Sequence, residues 1–213
     1  MNENNIIYIN HPLITHKISY LRDKNTPTSE FRRIVKEIAM LEGYEALRDV
    51  PTKMIDIETP IEKTTQPVVA GHTICFVPIL RAGMGMSDGF SELLPNAIVG
   101  HIGLYRDEVT HEPHEYYCKL PASLADKRVY LLDPMLATGG SSIDAVKILR
   151  QHGAKDIRFV CIIAAPEGVK AFHDAYPDVP LYIGALDRQL NERAYICPGL
   201  GDAGDRIFGT FKN

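Results

Sequence analysis

The chain reads as an α/β protein, a parallel twisted sheet flanked by helices, and three observations predict it. Apolar runs of strand length recur at 72–79, 97–104, 128–133, 157–164 and 179–186. Segments with apolar residues at helical spacing lie between them, at 84–94, 141–151 and 167–175. The runs are near-continuously apolar rather than alternating, the pattern of strands covered on both faces. Ahead of this alternation, Phe31, Ile34, Val35, Ile38, Leu41 and Tyr44 form one stripe that predicts a helix over 28–49. Thr28 or Ser29 is placed to cap it, and Glu30 suits its first turn. Gly43 weakens it by about 1 kcal/mol relative to alanine.

The 213 residues fit a single domain spanning 1–213, with no internal repeat or long linker. Hydrophobic residues at 45% and charged residues at 23% are ordinary for a globular chain. A net charge of −4 with no Lys/Arg cluster argues against a nucleic-acid surface. No apolar run approaches the roughly 18 residues that a membrane span needs, and the N-terminus lacks a signal-peptide pattern. Cys75, Cys118, Cys161 and Cys197 form no C-x-x-C pair, which fits reduced thiols in a cytoplasmic protein.

Function concentrates where strands end, because folds of this class place their sites at the carboxyl ends of parallel strands. The run Val129-Tyr-Leu-Leu-Asp133 ends in a carboxylate and passes through Pro134, Met135, Leu136, Ala137, Thr138, Gly139 and Gly140 to Ser141. A strand, a glycine-hydroxyl turn and a helix start together make a phosphate cradle. Backbone N–H groups converge on one anion there, and the helix dipole adds about half a positive charge. Thr138, Ser141 and Ser142 offer hydroxyl donors. Asp133 would repel phosphate but suits a ligand that carries hydroxyls beside its phosphate. The turn is neither a nucleotide P-loop, since Ser141 stands where a lysine belongs, nor a dinucleotide motif. An ordinary strand-to-helix turn is the bland alternative.

Asp133-Pro-Met-Leu-Ala-Thr-Gly-Gly-Ser141 resembles the phosphoribosyl-diphosphate (PRPP) loop of the uracil phosphoribosyltransferases. The resemblance continues through His11-Pro-Leu-Ile-Thr-His-Lys17, Tyr44-Glu-Ala-Leu-Arg-Asp49, Pro78-Ile-Leu-Arg-Ala-Gly-Met-Gly-Met86 and Gly100-His-Ile-Gly-Leu-Tyr-Arg-Asp107. It ends with Pro198-Gly-Leu-Gly-Asp-Ala-Gly-Asp-Arg206 and Phe208-Gly-Thr210, so it covers nearly the whole chain. Leu132 stands before Asp133 where other phosphoribosyltransferases usually carry a second acid, and the uracil enzymes share this single-acid form. Cys197 replaces an expected aliphatic residue. The implied fold is phosphoribosyltransferase-like, with a small hood or flap from the N- and C-terminal segments and a mobile loop. The implied reaction is uracil plus PRPP giving UMP and diphosphate, with Mg2+ carried by substrate and water rather than by a protein metal site.

Roles follow partly from chemistry and partly from the resemblance. Arg81, a cation in a small-residue loop at a strand end, suits a departing diphosphate, with a surface ion pair as the alternative. The resemblance implies a cis peptide around Leu80–Arg81. It also makes Arg106 the second arginine on PRPP and, with Asp202, a catalytic candidate. The polar stretch 107–120 is expected to be a flap over the reacting centre. Its His111 and His114 do not have the i, i+4 spacing of zinc hydrolases. The segment 187–210 is the expected base-binding region, and its glycines over 195–206 argue against a stable helix. Uracil's imide N–H lies between two carbonyl acceptors, so a backbone C=O beside backbone N–H groups complements it. By resemblance Ile196 supplies that carbonyl, and Gly201, Asp202 and Ala203 surround the base, with Met135 and Ala137 against the ring. Cytosine would set like against like, at about 1–3 kcal/mol per buried mismatch. Asp202 also couples the base to the metal-bound substrate, and no general base is evident. The implied partners include GTP as a possible activator and a homodimer or higher oligomer. Two other readings, an RNA-binding regulator on the same fold and a purine enzyme, fit less well because the chain is acidic and the pocket small.

Overall fold

In a computed structural model of the chain, the structure describes residues 5–70, 73–106 and 113–211, without the side chains of residues 106, 113 and 114. The elements in order are β1 Ile6–Tyr8, α1 Pro12–Arg22, α2 Thr28–Ala46, β2 Thr52–Glu58, β3 Lys63–Val69, β4 Ile74–Leu80 and α3 Met84–Leu93. They continue with β5 Ile98–Val99, β6 His101–Arg106, β7 Pro113–Lys119, β8 Arg128–Leu132, β9 Met135–Leu136, α4 Gly140–Gln151 and β10 Asp156–Ala164. The last are α5 Pro166–Ala175, β11 Leu181–Leu186, β12 Gln189–Leu190, β13 Ile196–Cys197 and α6 Ala203–Phe208.

The main sheet runs β1-β11-β10-β8-β4-β6-β7, with β5 beside β4 and β9 beside β10. All its pairings are parallel except β6–β7, so the sheet is mixed rather than purely parallel. Central strands bury both faces. Phe76, Tyr130, Val160 and Ile162 meet α1, α2 and α3 on one side. Val77, Leu131, Phe159 and Cys161 meet α4 and α5 on the other. This two-sided burial is why those strands read as continuous apolar runs. The Tyr130 hydroxyl, deep in the first layer, donates to the Ala46 carbonyl at 3.2 Å, which satisfies its one polar group.

Some expectations are revised. Helix α2 is preceded by Pro27 with no side-chain cap, so neither Thr28 nor Ser29 caps it; Glu30 does sit in its first turn. Residue 43 lies against α3, where an added Cβ would stand 2.8 Å from the Leu93 methyl, so the glycine serves helix packing. The expected 97–104 strand breaks at Gly100 into β5 and β6, and the Gly100 N–H donates to Phe76 at 2.9 Å. Of the expected flap 107–120, residues 107–112 lie outside the described residues, His111 among them. The strand β7 occupies 113–119, paired antiparallel with β6. All four cysteines are free thiols, Cys75 and Cys161 buried. No helix among the described residues is long and apolar enough to cross a membrane.

Candidate active site

The carboxyl ends of β4 and β8 and the C-terminal segment meet at one edge of the sheet. Asp133 follows β8, partly buried, and its Oδ1 accepts the Met135 N–H at 3.4 Å. Burial pushes its carboxyl up to about 7, and the charge of Asp202 pushes in the same direction. Two acids from segments far apart in sequence therefore act on one space.

Behind Asp133 the chain is pinned to β10. The Pro134 carbonyl accepts from Ile162 and Ile163 at 3.2 and 3.1 Å, and the Leu136 carbonyl accepts from Ala165 at 2.9 Å. Both residues are buried, Leu136 to 1% exposure, so neither offers its side chain or carbonyl to the open edge. They anchor the loop on β10 through these carbonyls. Met135, Ala137, Thr138, Gly140 and Ser141 are partly exposed. Gly139 takes a left-handed φ of 90° and turns the chain into α4. The Ser142 hydroxyl, expected as a donor to phosphate, is buried and donates to the Gly139 carbonyl at 2.9 Å instead.

A residue missed by the sequence reading shapes this turn. Gly168 of α5 lies so close that a Cβ there would stand 2.2 Å from the Ala137 carbonyl oxygen. The available signal was a glycine inside a helix, which costs about 1 kcal/mol and needs a packing reason.

The Leu80–Arg81 peptide is cis, as the resemblance implies. Gly83 packs on the end of β8, where a Cβ would be 2.3 Å from the Leu132 carbonyl oxygen. Arg81 is half exposed, at 3.3 Å from the Thr210 hydroxyl and 3.4 Å from Asp205 Oδ1, with its guanidinium 5.7 Å from the Phe208 ring centre. Asp205 and Thr210 are thus partners that the sequence did not flag, and they draw Arg81 to the C-terminal segment. Arg106 ends β6, but its side chain lies outside the described residues.

The C-terminal segment is more regular than its glycines implied. Although the glycines over 195–206 argue against a stable helix, α6 begins inside this stretch at Ala203, capped by Asp202, whose Oδ1 accepts the Asp205 N–H at 2.8 Å. Ile196 is buried at 7% exposure, and Gly201 has a positive φ of 80°. A cavity of about 500 Å³ opens beside this segment, lined in part by Arg22, Tyr195, Gly201 and Asp202. Among the described residues, the backbone N–H groups of Gly201, Asp202 and Ala203 meet no acceptor. Nor do the described residues hold a cluster of His, Cys, Asp and Glu able to bind a metal.

Fold and site together define a phosphoribosyltransferase, and comparison with known proteins agrees. A purine phosphoribosyltransferase from Pyrococcus horikoshii shares the fold at a TM-score of 0.51, 17% identical over 73% of this chain and 84% of its own. The AQ2163 protein from Aquifex aeolicus superposes at a TM-score of 0.93, 39% identical over 98% of this chain and all of its own. The family model for uracil phosphoribosyltransferase matches residues 8–210. Uracil phosphoribosyltransferases from Enterococcus faecalis and Ligilactobacillus salivarius are 56% and 58% identical, each over 95% of this chain and 97% of their own. The chain belongs to the uracil phosphoribosyltransferase family. It transfers the phosphoribosyl group of PRPP to uracil, forming UMP for pyrimidine salvage.

Proposed function

We propose a division of labour at this edge of the sheet. The turn 137–141 holds the 5′-phosphate of PRPP on backbone N–H groups and the Thr138 and Ser141 hydroxyls, at the start of α4. Asp133 accepts from the ribose hydroxyls. Arg81 and Arg106 neutralise the diphosphate as it leaves, the step in which negative charge grows most. The Ile196 carbonyl takes the uracil imide proton, while the N–H groups over 201–203 face its carbonyl oxygens. Asp202 links the base to the PRPP side, and Met135 and Ala137 cover the ring. The observation that carries this reading is the reach of Arg81, at the end of β4, to the Thr210 hydroxyl at 3.3 Å and Asp205 Oδ1 at 3.4 Å, which brings the strand-end loops and the C-terminal segment to one space.

Mg2+ fits the same donors. Two carboxylates at the mouth of an oxygen-rich site suit a hard cation that reaches the protein through substrate and water. When bound, it would lower the charge of the diphosphate as a leaving group. By family resemblance the reading extends to GTP as the activator to test, a homodimer or higher assembly, and a cytoplasmic location.

The test is steady-state kinetics on Asp133→Asn and Arg106→Ala. Charge-assisted hydrogen bonds contribute about 1.5–3 kcal/mol, so Asp133→Asn should lose about ten-fold or more in catalytic efficiency with the fold intact. Unchanged turnover and affinity would remove Asp133 from the site. Arg106→Ala should lower turnover far more than uracil affinity. A defect confined to uracil binding would place Arg106 elsewhere.

A further inference from the structure

Between β13 and α6 the chain makes a short loop that no regular element holds. The Cys197–Pro198 peptide is cis, and Gly199 and Gly201 have φ of 64° and 80°. Gly199 folds back on β13 so tightly that a Cβ there would stand 2.1 Å from the Ile196 carbonyl oxygen. Any shift of Gly199 therefore moves that carbonyl.

Two charges from outside the loop fix Gly199. Asp187, just past β11 and 6% exposed, accepts the Gly199 N–H on Oδ2 at 2.8 Å. Arg22, the last residue of α1, donates Nη1 to the same Oδ2 at 2.8 Å and to the Gly199 carbonyl at 2.8 Å. Its Nη2 donates to Asp187 Oδ1, which completes a two-pronged pair. The Asp187 N–H is itself tied to the Ala164 carbonyl at the end of β10 at 2.8 Å. Both polar groups of one peptide residue are thus held, one by each member of an ion pair rooted in the sheet and in α1.

Arg206 finishes the outer side of the loop. It is 8% exposed, donates to the Leu200 carbonyl at 2.7 Å and to the Asp23 carbonyl at 2.6 Å, and lies 4.2 Å over the Phe31 ring. The outward carbonyls of Gly199 and Leu200 are taken, while the N–H groups of Gly201, Asp202 and Ala203 stay open among the described residues.

We propose that Arg22 and Asp187 are positioning residues for the nucleobase: their ion pair sets the spacing between the Ile196 carbonyl and the N–H groups over 201–203, and so sets the preference for uracil over cytosine. The inference rests on the reading that 196–203 holds the base. Neither side chain needs to touch substrate. A buried ion pair is a weak route to stability, because desolvation offsets most of its attraction. Its value lies in direction: the planar fork of an arginine fixes a carboxylate and a carbonyl at set angles, as a lysine cannot. Backbone recognition demands such control, since a carbonyl has no rotamer with which to recover from a misplaced loop.

The experiment is steady-state kinetics with uracil, cytosine and PRPP on Asp187→Asn, Arg22→Met and Arg22→Lys, each with its melting temperature. Asp187→Asn keeps an acceptor for Gly199 but loses the charge that orders the fork. The KM for uracil is expected to rise about ten-fold or more in Asp187→Asn and Arg22→Met, with turnover and the KM for PRPP within about two-fold. Discrimination against cytosine should narrow. Arg22→Lys keeps the charge and the fold, and its uracil KM should rise by about three-fold at an unchanged melting temperature. A lowered melting temperature with an unchanged uracil KM would make the pair merely structural. An unchanged uracil KM in Arg22→Lys overturns the inference even if the other two variants fail to fold. Gly201→Val separates the two claims. It strains a positive-φ residue within the base loop and should abolish uracil use while PRPP binding by calorimetry persists. Normal uracil use in Gly201→Val sinks the base-loop reading itself. Loss there, with Asp187→Asn unaffected, sinks only the positioning role.

Discussion

Asp133 shows how one carboxyl can sense its ligand. Its carboxyl stands near 7, against an ordinary 3.8, because burial disfavours the charge and Asp202 repels it. The folded-state value is raised, so its contribution to stability is complete below the ordinary value and is lost as pH rises through about 7. Ribose hydroxyls and a cation both favour the ionised form. Binding of PRPP with Mg2+ should therefore expel about half a proton at pH near 7 and close to one at pH near 6, and tighten as pH rises from about 6 to about 8. Calorimetry in buffers of different ionisation enthalpy would measure the proton, and Asp133→Asn should abolish it. Proton release that persists in this variant would assign the titration to another group. At this scale the sequence was legible where chemistry is local. Asp133 and the glycine turn declare themselves within nine residues of one another. The Arg22–Asp187 pair did not, because its members lie 165 positions apart and either alone reads as a surface charge. Ser142 misled for the opposite reason: only the fold tells a hydroxyl that faces a ligand from one that caps its own turn.

Among the elements, α2 carries a feature that its apolar stripe hides. Glu42 is fully buried, both carboxylate oxygens lack a hydrogen-bond partner among the described residues, and Oε1 lies 2.3 Å from where a Cβ on Gly184 would stand. Burial pushes its carboxyl well above the usual range, so the helix packs on the sheet with Glu42 protonated. With the folded value raised, this group's stability contribution is present below about 4.5 and is lost as pH rises towards the folded value. Glu42→Met removes the unpaired group with little change in volume. It should stabilise the protein by about 1–3 kcal/mol at pH near 8, and by less at pH near 5. Urea melts at the two values test this, and an equal gain at both would deny that the acid titrates in the fold. Long, strongly periodic elements such as α2, α4, α5, β8 and β10 were readable because burial imposes a period. Helix α1 was passed over although Ile14, Ile18 and Leu21 carry its buried stripe and His11 caps it. Strands β1, β9, β12 and β13 are only two or three residues long and exist through tertiary pairing, which no local pattern encodes.

For the whole molecule, the parallel order of the central sheet explains why loops distant in sequence converge. It delivers the ends of β4 and β8 to one edge, and α6 closes on them through Arg81. This convergence was legible from strand and helix alternation alone. The β2–β3 hairpin was not, since every residue of β2 is exposed and no buried face gives it an alternating pattern. Its register runs from Thr52 opposite Val69 to Glu58 opposite Lys63. Ile55 and Ile57 share one face at 36% and 39% exposure, and Ile61 at the tip is 89% exposed. A two-stranded ribbon is marginal by itself in water, and apolar side chains on it seek cover. The assembly proposed above would give the ribbon that cover if another copy of the chain packs on this face. Replacing Ile55 and Ile57 together by lysine removes no core residue, so each chain should fold as before. Light scattering after size-exclusion chromatography should then show the mass falling to that of one 23.8 kDa chain. If the parent protein is a dimer or larger and the double variant keeps its mass, the interface lies elsewhere and the ribbon stands free in solvent.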